Sequence, residues 1–180
     1  QIQAFLDDQS PYSLFCGDAE AVLCDMPPQF VDTCLTSPPY WGQRKYDDSN
    51  GLGNEIDPQA YVNRLVSIFR EVRRVLQPQG SLWLNIGDTY RKKHLIGIPW
   101  RVAIALQDDG WILRNDIIWD KVKGNPCNAK DKLRNVHEHI FHFVKRTDYF
   151  YDVDAIRNTP GKPTFKNGRI VTATGVNGSK

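Results

Sequence analysis

No run of about 18 apolar residues occurs in the sequence, so nothing in it reads as a membrane span. The N-terminus also lacks the basic-then-apolar pattern of a secretory signal. Cysteine is scarce. Cys16, Cys24, Cys34 and Cys127 form neither a CxxC pair nor an evenly spaced framework, which excludes a disulfide scaffold. Three of them fall where strand or helix interior is expected, so buried free thiols in a reducing cytoplasm are the expectation. Net charge is only +2, so the totals announce no nucleic-acid partner and any basic face must be sought by position. No internal repeat is present. What remains is ordinary: 180 residues, 41% hydrophobic and 24% charged with five tryptophans, enough for one domain with a sizeable core.

Along the chain, residues 12–16 are short and apolar and stop at Gly17-Asp18, the pattern of a strand ending in a turn. Residues 19–26 read as a short helix stopped by Pro27-Pro28. Residues 31–37 form a second strand that ends abruptly at Pro38-Pro39, because two prolines cannot continue a ladder. A long polar loop with glycines follows over 41–56. Asp57 then caps a helix that opens on Pro58, and Tyr61, Leu65, Ile68, Val72 and Leu76 give it one buried stripe. Arg64, Arg70, Glu71 and Arg74 fall on the other, solvated face. Residues 77–80 read as a turn and 81–86 as a third strand, closed by Gly87-Asp88. Pro99 opens a helix that Gly110 ends, and 111–119 is strand-like. After a basic loop over 120–135, residues 137–144 and 149–151 are expected to pair as a hairpin. Strands alternating with helices, then a hairpin, indicate an α/β fold whose sheet is parallel in part and antiparallel at its end. Residues 158–180 are poor in apolar side chains and are expected to form a loop-like tail after a catalytic region over 1–157.

The segment Ser37-Pro38-Pro39-Tyr40 carries chemistry. Proline offers a carbonyl and no N–H, so the loop is rich in acceptors, and the Ser37 hydroxyl adds another. Two acceptors converging on an –NH2 group orient its hydrogens and free its lone pair for attack on a methylsulfonium. Tyr40 offers a flat face for a planar base, a contact worth roughly 1–3 kcal/mol. A base inside a duplex cannot reach such a loop, so it would have to be flipped out.

The order of short motifs resembles the N4-cytosine/N6-adenine DNA methyltransferase family over roughly residues 12–157. It runs from Gly17-Asp18 through Thr36-Ser37-Pro38-Pro39-Tyr40 and Arg73-Arg74-Val75-Leu76 to Trp83-Leu84-Asn85-Ile86-Gly87-Asp88. Gly97-Ile98-Pro99-Trp100, Ile117-Ile118-Trp119-Asp120-Lys121 and His137-Glu138-His139-Ile140-Phe141 complete it. The resemblance implies a Rossmann-like methyltransferase fold using S-adenosylmethionine. It implies Ser37, Pro38, Pro39 and Tyr40 as the catalytic motif. Asp18 would meet the cofactor's adenine with Ala19 beside it, while Thr36, Ser37 and Pro38 line its methionyl side. Serine before the prolines resembles the cytosine-modifying members more than the adenine-modifying ones, which more often carry Asp or Asn. Permuted members also place a glycine-rich cofactor loop after the catalytic half. Gly51-Leu52-Gly53 has the wrong spacing for it and follows no strand. The expectation is therefore an incomplete fold: the first half of a longer protein, or one part of a split enzyme with a companion subunit.

Other constellations compete. Cys127 follows a proline in the basic loop but has no evident partner to activate its thiol, so it reads as a loop cysteine. His137, Glu138, His139 and His142 miss the HExxH zinc pattern, since position 141 is Phe141. On a strand His137 and His139 share a face that His142 does not, and polar groups within a sheet are the better reading. Trp41, Arg44, Lys45, Lys121, Lys123, Lys130, Lys132 and Arg134 are the candidate contacts to double-stranded DNA, the basic ones, with Arg91-Lys92-Lys93, tracking its phosphates. Four readings stay open: N4-cytosine methylation, N6-adenine methylation, methylation of a protein glutamine, and a non-catalytic DNA-binding subunit.

Overall fold

The structure is a computed structural model that describes residues 12–43, 51–123, 129–156, 164–166 and 169–171. It contains two compact units, Gln1–Tyr149 and Phe150–Lys180.

The larger unit is built on a four-stranded sheet. Helix α1 spans Ala19–Asp25, strand β1 Val31–Thr36, α2 Pro58–Val75, and β2 Leu76–Ile86. Two short strands follow, β3 at Tyr90–Arg91 and β4 at His94–Leu95, then α3 at Ile98–Asp108, β5 at Ile112–Asp120 and β6 at His137–Val144. The sheet order is β1-β2-β6-β5. β1 and β2 are parallel, and β6 runs antiparallel to both β2 and β5. The carboxyl ends of β1, β2 and β5 therefore share one edge with the start of β6, the edge where ligands bind in open α/β sheets.

Both long helices start as the sequence predicts. Asp57 accepts the Ala60 N–H at 2.8 Å, with Pro58 in the first turn. At α3, Asp88 does the capping from outside the helix, accepting the N–H groups of Gly97 and Ile98 at 3.0 Å each. Tyr61, Leu65 and Val72 are buried as expected, and Val62, Phe69 and Val75 join them. Tyr61, Val62, Leu65, Phe69 and Val72, with the buried side chains of α3, pack on one face of the sheet against Leu82, Leu84, Ile86, Phe141 and Phe143, forming the core. On the other face Leu35 is 75% exposed and Trp119 56% exposed.

Several expectations fail for identifiable reasons. Residues 12–16 form no strand and pair with none of the described strands. The expected turn at 77–80 lies inside β2, where the register jumps from Val31↔Leu76 to Thr33↔Ser81. Gly80 permits the jump, because a Cβ there would lie 2.7 Å from the Asp32 carbonyl oxygen. Residues 149–151 do not pair with β6, both of whose edges are taken by β2 and β5. The antiparallel hairpin is instead β5–β6. Cys16 and Cys24 are exposed and Cys34 is half-buried, so the thiols are less enclosed than expected; burial pushes the Cys34 thiol up to about 11. Among the described residues no helix is long and apolar enough to cross a membrane.

The smaller unit holds a 3-10 turn, Asp154–Ile156, and a two-stranded hairpin of β7 (Thr164–Lys166) and β8 (Arg169–Val171), where composition alone suggests plain loop.

Candidate active site

The Ser37–Tyr40 loop leaves β1 at the carboxyl edge of the sheet, and three neighbours fix its shape. From below, the Tyr61 hydroxyl on α2 donates to the Pro39 carbonyl at 2.9 Å. From the side, Gly53 sits so close that a Cβ would meet the Tyr40 carbonyl oxygen at 3.1 Å, and its own carbonyl accepts the Gly42 N–H at 2.8 Å. Glu55 ties this buttress together, with its side chain accepting from the Gly53 N–H at 2.9 Å and its backbone carbonyl from the Trp41 indole at 2.9 Å. Gly51-Leu52-Gly53 is thus a support for the Ser37–Tyr40 loop. The Pro39 carbonyl is engaged by Tyr61.

The third neighbour is Gly87, just beyond β2. A Cβ there would lie 2.7 Å from Tyr40 Cε2, so only glycine leaves room for the ring. The Tyr40 hydroxyl accepts from Ser37 at 3.3 Å and donates to the Glu138 carboxylate at 2.9 Å. The same carboxylate accepts from the Asn85 amide at 3.0 Å and pairs with the Lys121 ammonium. Burial pushes the Tyr40 phenol up to about 12; the hydrogen bond from Ser37 opposes this, and the bond and charge of Glu138 add to it. For Glu138 burial alone would raise the pKa. Hydrogen bonds from Lys121, Asn85 and Tyr40, with the Lys121 charge, outweigh it and hold the carboxyl below its usual range.

The residues expected to hold a cofactor come together in part. Ala19, Thr36, Ser37 and Pro38 line one cleft of about 440 Å³, walled otherwise by apolar side chains such as Val22, Leu65 and Phe69. Asp18 stands next to it as the N-cap of α1, where one carboxylate oxygen accepts the Ala21 N–H at 3.1 Å.

The expected DNA contacts divide. Trp41 is corrected outright: it is only 4% exposed, bonded through its indole N–H and covered by Arg91 at 5.0 Å, so it is core rather than contact surface. Its place beside the loop is enforced by apolar burial, which a turn-adjacent tryptophan satisfies more readily than solvent exposure. Lys121, Lys123, Lys130, Lys132 and Arg134 are all exposed on the segment joining β5 to β6, with Lys132 lying 3.4 Å over the Tyr90 ring. Arg44, Lys45 and Cys127 lie outside the described residues. His139 is hydrogen-bonded through Nδ1 to Asp116 at 2.9 Å, and His142 stacks on Trp83 at 4.1 Å.

Sequence reading missed Glu138, Asn85, Tyr61 and Glu55. A usable signal existed for two of them. Tyr61 has a polar tip in an apolar stripe, and such a hydroxyl needs a partner when buried. Strand alternation places Glu138 on the face opposite His137 and His139, away from the histidines it was grouped with.

The chain as a whole is similar to known DNA methylases. A DNA methylase family model, for N6- and N4-directed enzymes, matches residues 31–175. The Type II methyltransferase M.Cfr9I of Citrobacter freundii is 40% identical over 188 residues, covering 88% of this chain and 63% of that protein. M.SmaI of Serratia marcescens is 37% identical, covering 88% of this chain and 65% of its own. The chain thus spans less than two thirds of the length of these relatives. Among solved structures, the cytosine-N4-specific PvuII DNA methyltransferase superposes with a TM-score of 0.64 at 25% identity, covering 75% of this chain and 49% of that one. A Thermus thermophilus protein described as a putative DNA modification methylase, solved in complex with S-adenosyl-L-methionine, gives a TM-score of 0.59 at 27% identity, covering 77% of this chain and 57% of that one.

Proposed function

The chain belongs to the DNA methylase family of N6- and N4-directed enzymes, and from that premise we propose that it methylates the exocyclic amino group of cytosine in duplex DNA, at N4. The observation that carries this reading is the Ser37–Tyr40 loop: two acceptors, Ser37 Oγ and the Pro38 carbonyl, beside an aromatic ring whose position is fixed by Gly87 and Glu138. Serine ahead of the prolines, and the structural likeness to a cytosine-N4-specific enzyme, favour cytosine over adenine.

The cleft suits part of S-adenosylmethionine. Its volume lies within the range of small-molecule sites, its walls are apolar enough for an adenosyl group, and Asp18 at its side keeps an acceptor oxygen beyond the one used in capping. Ala19, Thr36, Ser37 and Pro38 would border the group there. S-adenosylmethionine supplies an electrophilic methyl when bound. The chain's own contribution is to the nucleophile. Ser37 and Pro38 accept the two amino hydrogens and hold the nitrogen lone pair out of conjugation, and the Tyr40 ring supports the flipped base by stacking. The exposed Lys123, Lys130, Lys132 and Arg134 hold the flanking phosphates.

The test is to incubate the protein with unmodified DNA and cofactor, digest the DNA to nucleosides and search for methylated ones by mass spectrometry. N4-methylcytosine supports the reading, and N6-methyladenine replaces the target base. Methyl transfer to protein glutamine with none to DNA overturns it.

A further inference from the structure

Serine at position 37 poses a chemical problem. A carboxylate there would accept hydrogen bonds by nature, whereas a hydroxyl is donor and acceptor alike and has to be given a direction. The structure contains a chain of groups that gives one. Ser37 Oγ lies 3.3 Å from the Tyr40 hydroxyl, which lies 2.9 Å from Glu138 Oε2. The carboxylate can only accept, so the Tyr40 proton must go to it. The phenolic oxygen then faces Ser37 as an acceptor and takes the Ser37 proton. What Ser37 keeps is its lone pairs, and these are what an amino group needs. The Ser37 link is long for an O–H···O bond, so it sets direction more than it adds strength.

Glu138 itself is held in place from two elements. Asn85 on β2 donates to the same oxygen at 3.0 Å, and Lys121, just past β5, pairs with the other. Three donors keep the group charged, which is the condition for the chain to run one way only.

We propose that Glu138 is a positioning residue for methyl transfer: acting through the Tyr40 hydroxyl, it commits the Ser37 proton away from the substrate, so that Ser37 Oγ meets the target amino group purely as an acceptor. The inference rests on the amino-methyltransferase reading above. Glu138 does not touch the base, and Lys121 makes its carboxylate the meeting point of the catalytic loop and the basic segment after β5.

The experiment is a double-mutant cycle of Glu138→Ala and Tyr40→Phe, with Glu138→Gln as the conservative variant, in the protein acting on duplex DNA. The expected result for Glu138→Ala is a kcat lower by about tenfold or more with the KM for DNA changed by less than about threefold, and little further loss when it is added to Tyr40→Phe. Glu138→Gln, whose amide oxygen can still accept from Tyr40, should recover part of the kcat. In parallel, the 13Cζ resonance of Tyr40 reports its hydrogen bond without any need for turnover, and should move toward the free-tyrosine value in Glu138→Ala. A wild-type kcat in Glu138→Ala, losses that multiply with those of Tyr40→Phe, or an unmoved resonance would each overturn the proposal. If the wild-type protein transfers no methyl group to DNA, the functional reading fails instead, and the resonance still decides whether Glu138 directs the hydrogen bond.

Discussion

The Pro39 carbonyl accepts a hydrogen bond from the Tyr61 hydroxyl at 2.9 Å, tying the Ser37–Tyr40 loop to a helix 22 positions further along the chain. Tyr61 is fully buried in the core, so the loop's backbone inherits the rigidity of the helix–sheet packing beneath it. Burial, and secondarily the charge of Glu55, push its phenol well above the usual tyrosine range, which keeps it a donor at every working pH.

Tyr61→Phe should therefore act as a support lesion. The ring volume stays and the Pro39 carbonyl loses its partner, a change worth about 1–2 kcal/mol when a buried acceptor is left unmade. Urea unfolding should show that loss. Per folded molecule, kcat should fall while the KM for DNA stays near wild type, because the residues proposed to meet phosphates lie elsewhere. Unchanged stability and unchanged kcat together would remove Tyr61 from the site.

Gly87→Ala tests the ring rather than the backbone. The new Cβ would sit 2.7 Å from Tyr40 Cε2 and 3.1 Å from Cδ2, so the ring has to swing away from Glu138 and from the base. Misplacement on the ångström scale can cost about a hundredfold in rate. The expected pattern is a large kcat loss with a thermal midpoint close to wild type, read by single-turnover methylation alongside calorimetry. Wild-type turnover would mean that the position of the ring is not critical.

How much of this was legible in the sequence depends on the range of the interaction. Asp57 with Pro58, and Gly110 after α3, are local signals, and the helices they bound are found where they point. The Ser37–Tyr40 loop was legible because two prolines must end a strand. The strand expected at 12–16 and the pairing expected at 149–151 failed because a ladder is a property of two segments: 12–16 pair with no described strand, and β6 is already flanked by β2 and β5. Glu138 and Tyr40 are separated by 98 positions, and their contact exists only because β6 runs antiparallel beside β2. No local pattern carries that. Trp41 shows the converse error: an aromatic beside a catalytic motif invites a functional reading, yet burying it was worth more to the fold.

Stability should depend on pH through two groups, His142 and Glu138. His142 is fully buried against Trp83, and burial, then the Arg114 charge, lowers its pKa below the ordinary histidine value of 6.5. A histidine whose folded pKa is depressed binds its proton more readily when unfolded. Stability is therefore fully present above pH 6.5 and declines as the pH falls from there toward the folded value. Glu138 is the carboxylate case: its folded pKa lies below the ordinary value of 4.5, so its contribution is present above 4.5 and is lost as the pH falls through the folded value. Urea midpoints across pH should show both slopes. His142→Phe should abolish the upper one and spare the lower, and an upper slope that survives this change belongs to another group.

The basic segment after β5 contains two kinds of lysine, and the difference is measurable. Lys123 and Arg134 are exposed and are proposed to meet phosphates, so each alanine substitution should weaken DNA binding across all sequences and reduce the salt slope by about one, with kcat at saturating DNA unchanged. Lys121 is committed to Glu138. Its removal deprives that carboxylate of its counter-charge, so Lys121→Ala should lower kcat and leave the salt slope nearly as it was. Binding isotherms at several salt concentrations, paired with saturating-DNA turnover, separate the two behaviours. Should Lys121→Ala change only the salt slope, its ammonium serves the phosphates and not the carboxylate beside Tyr40.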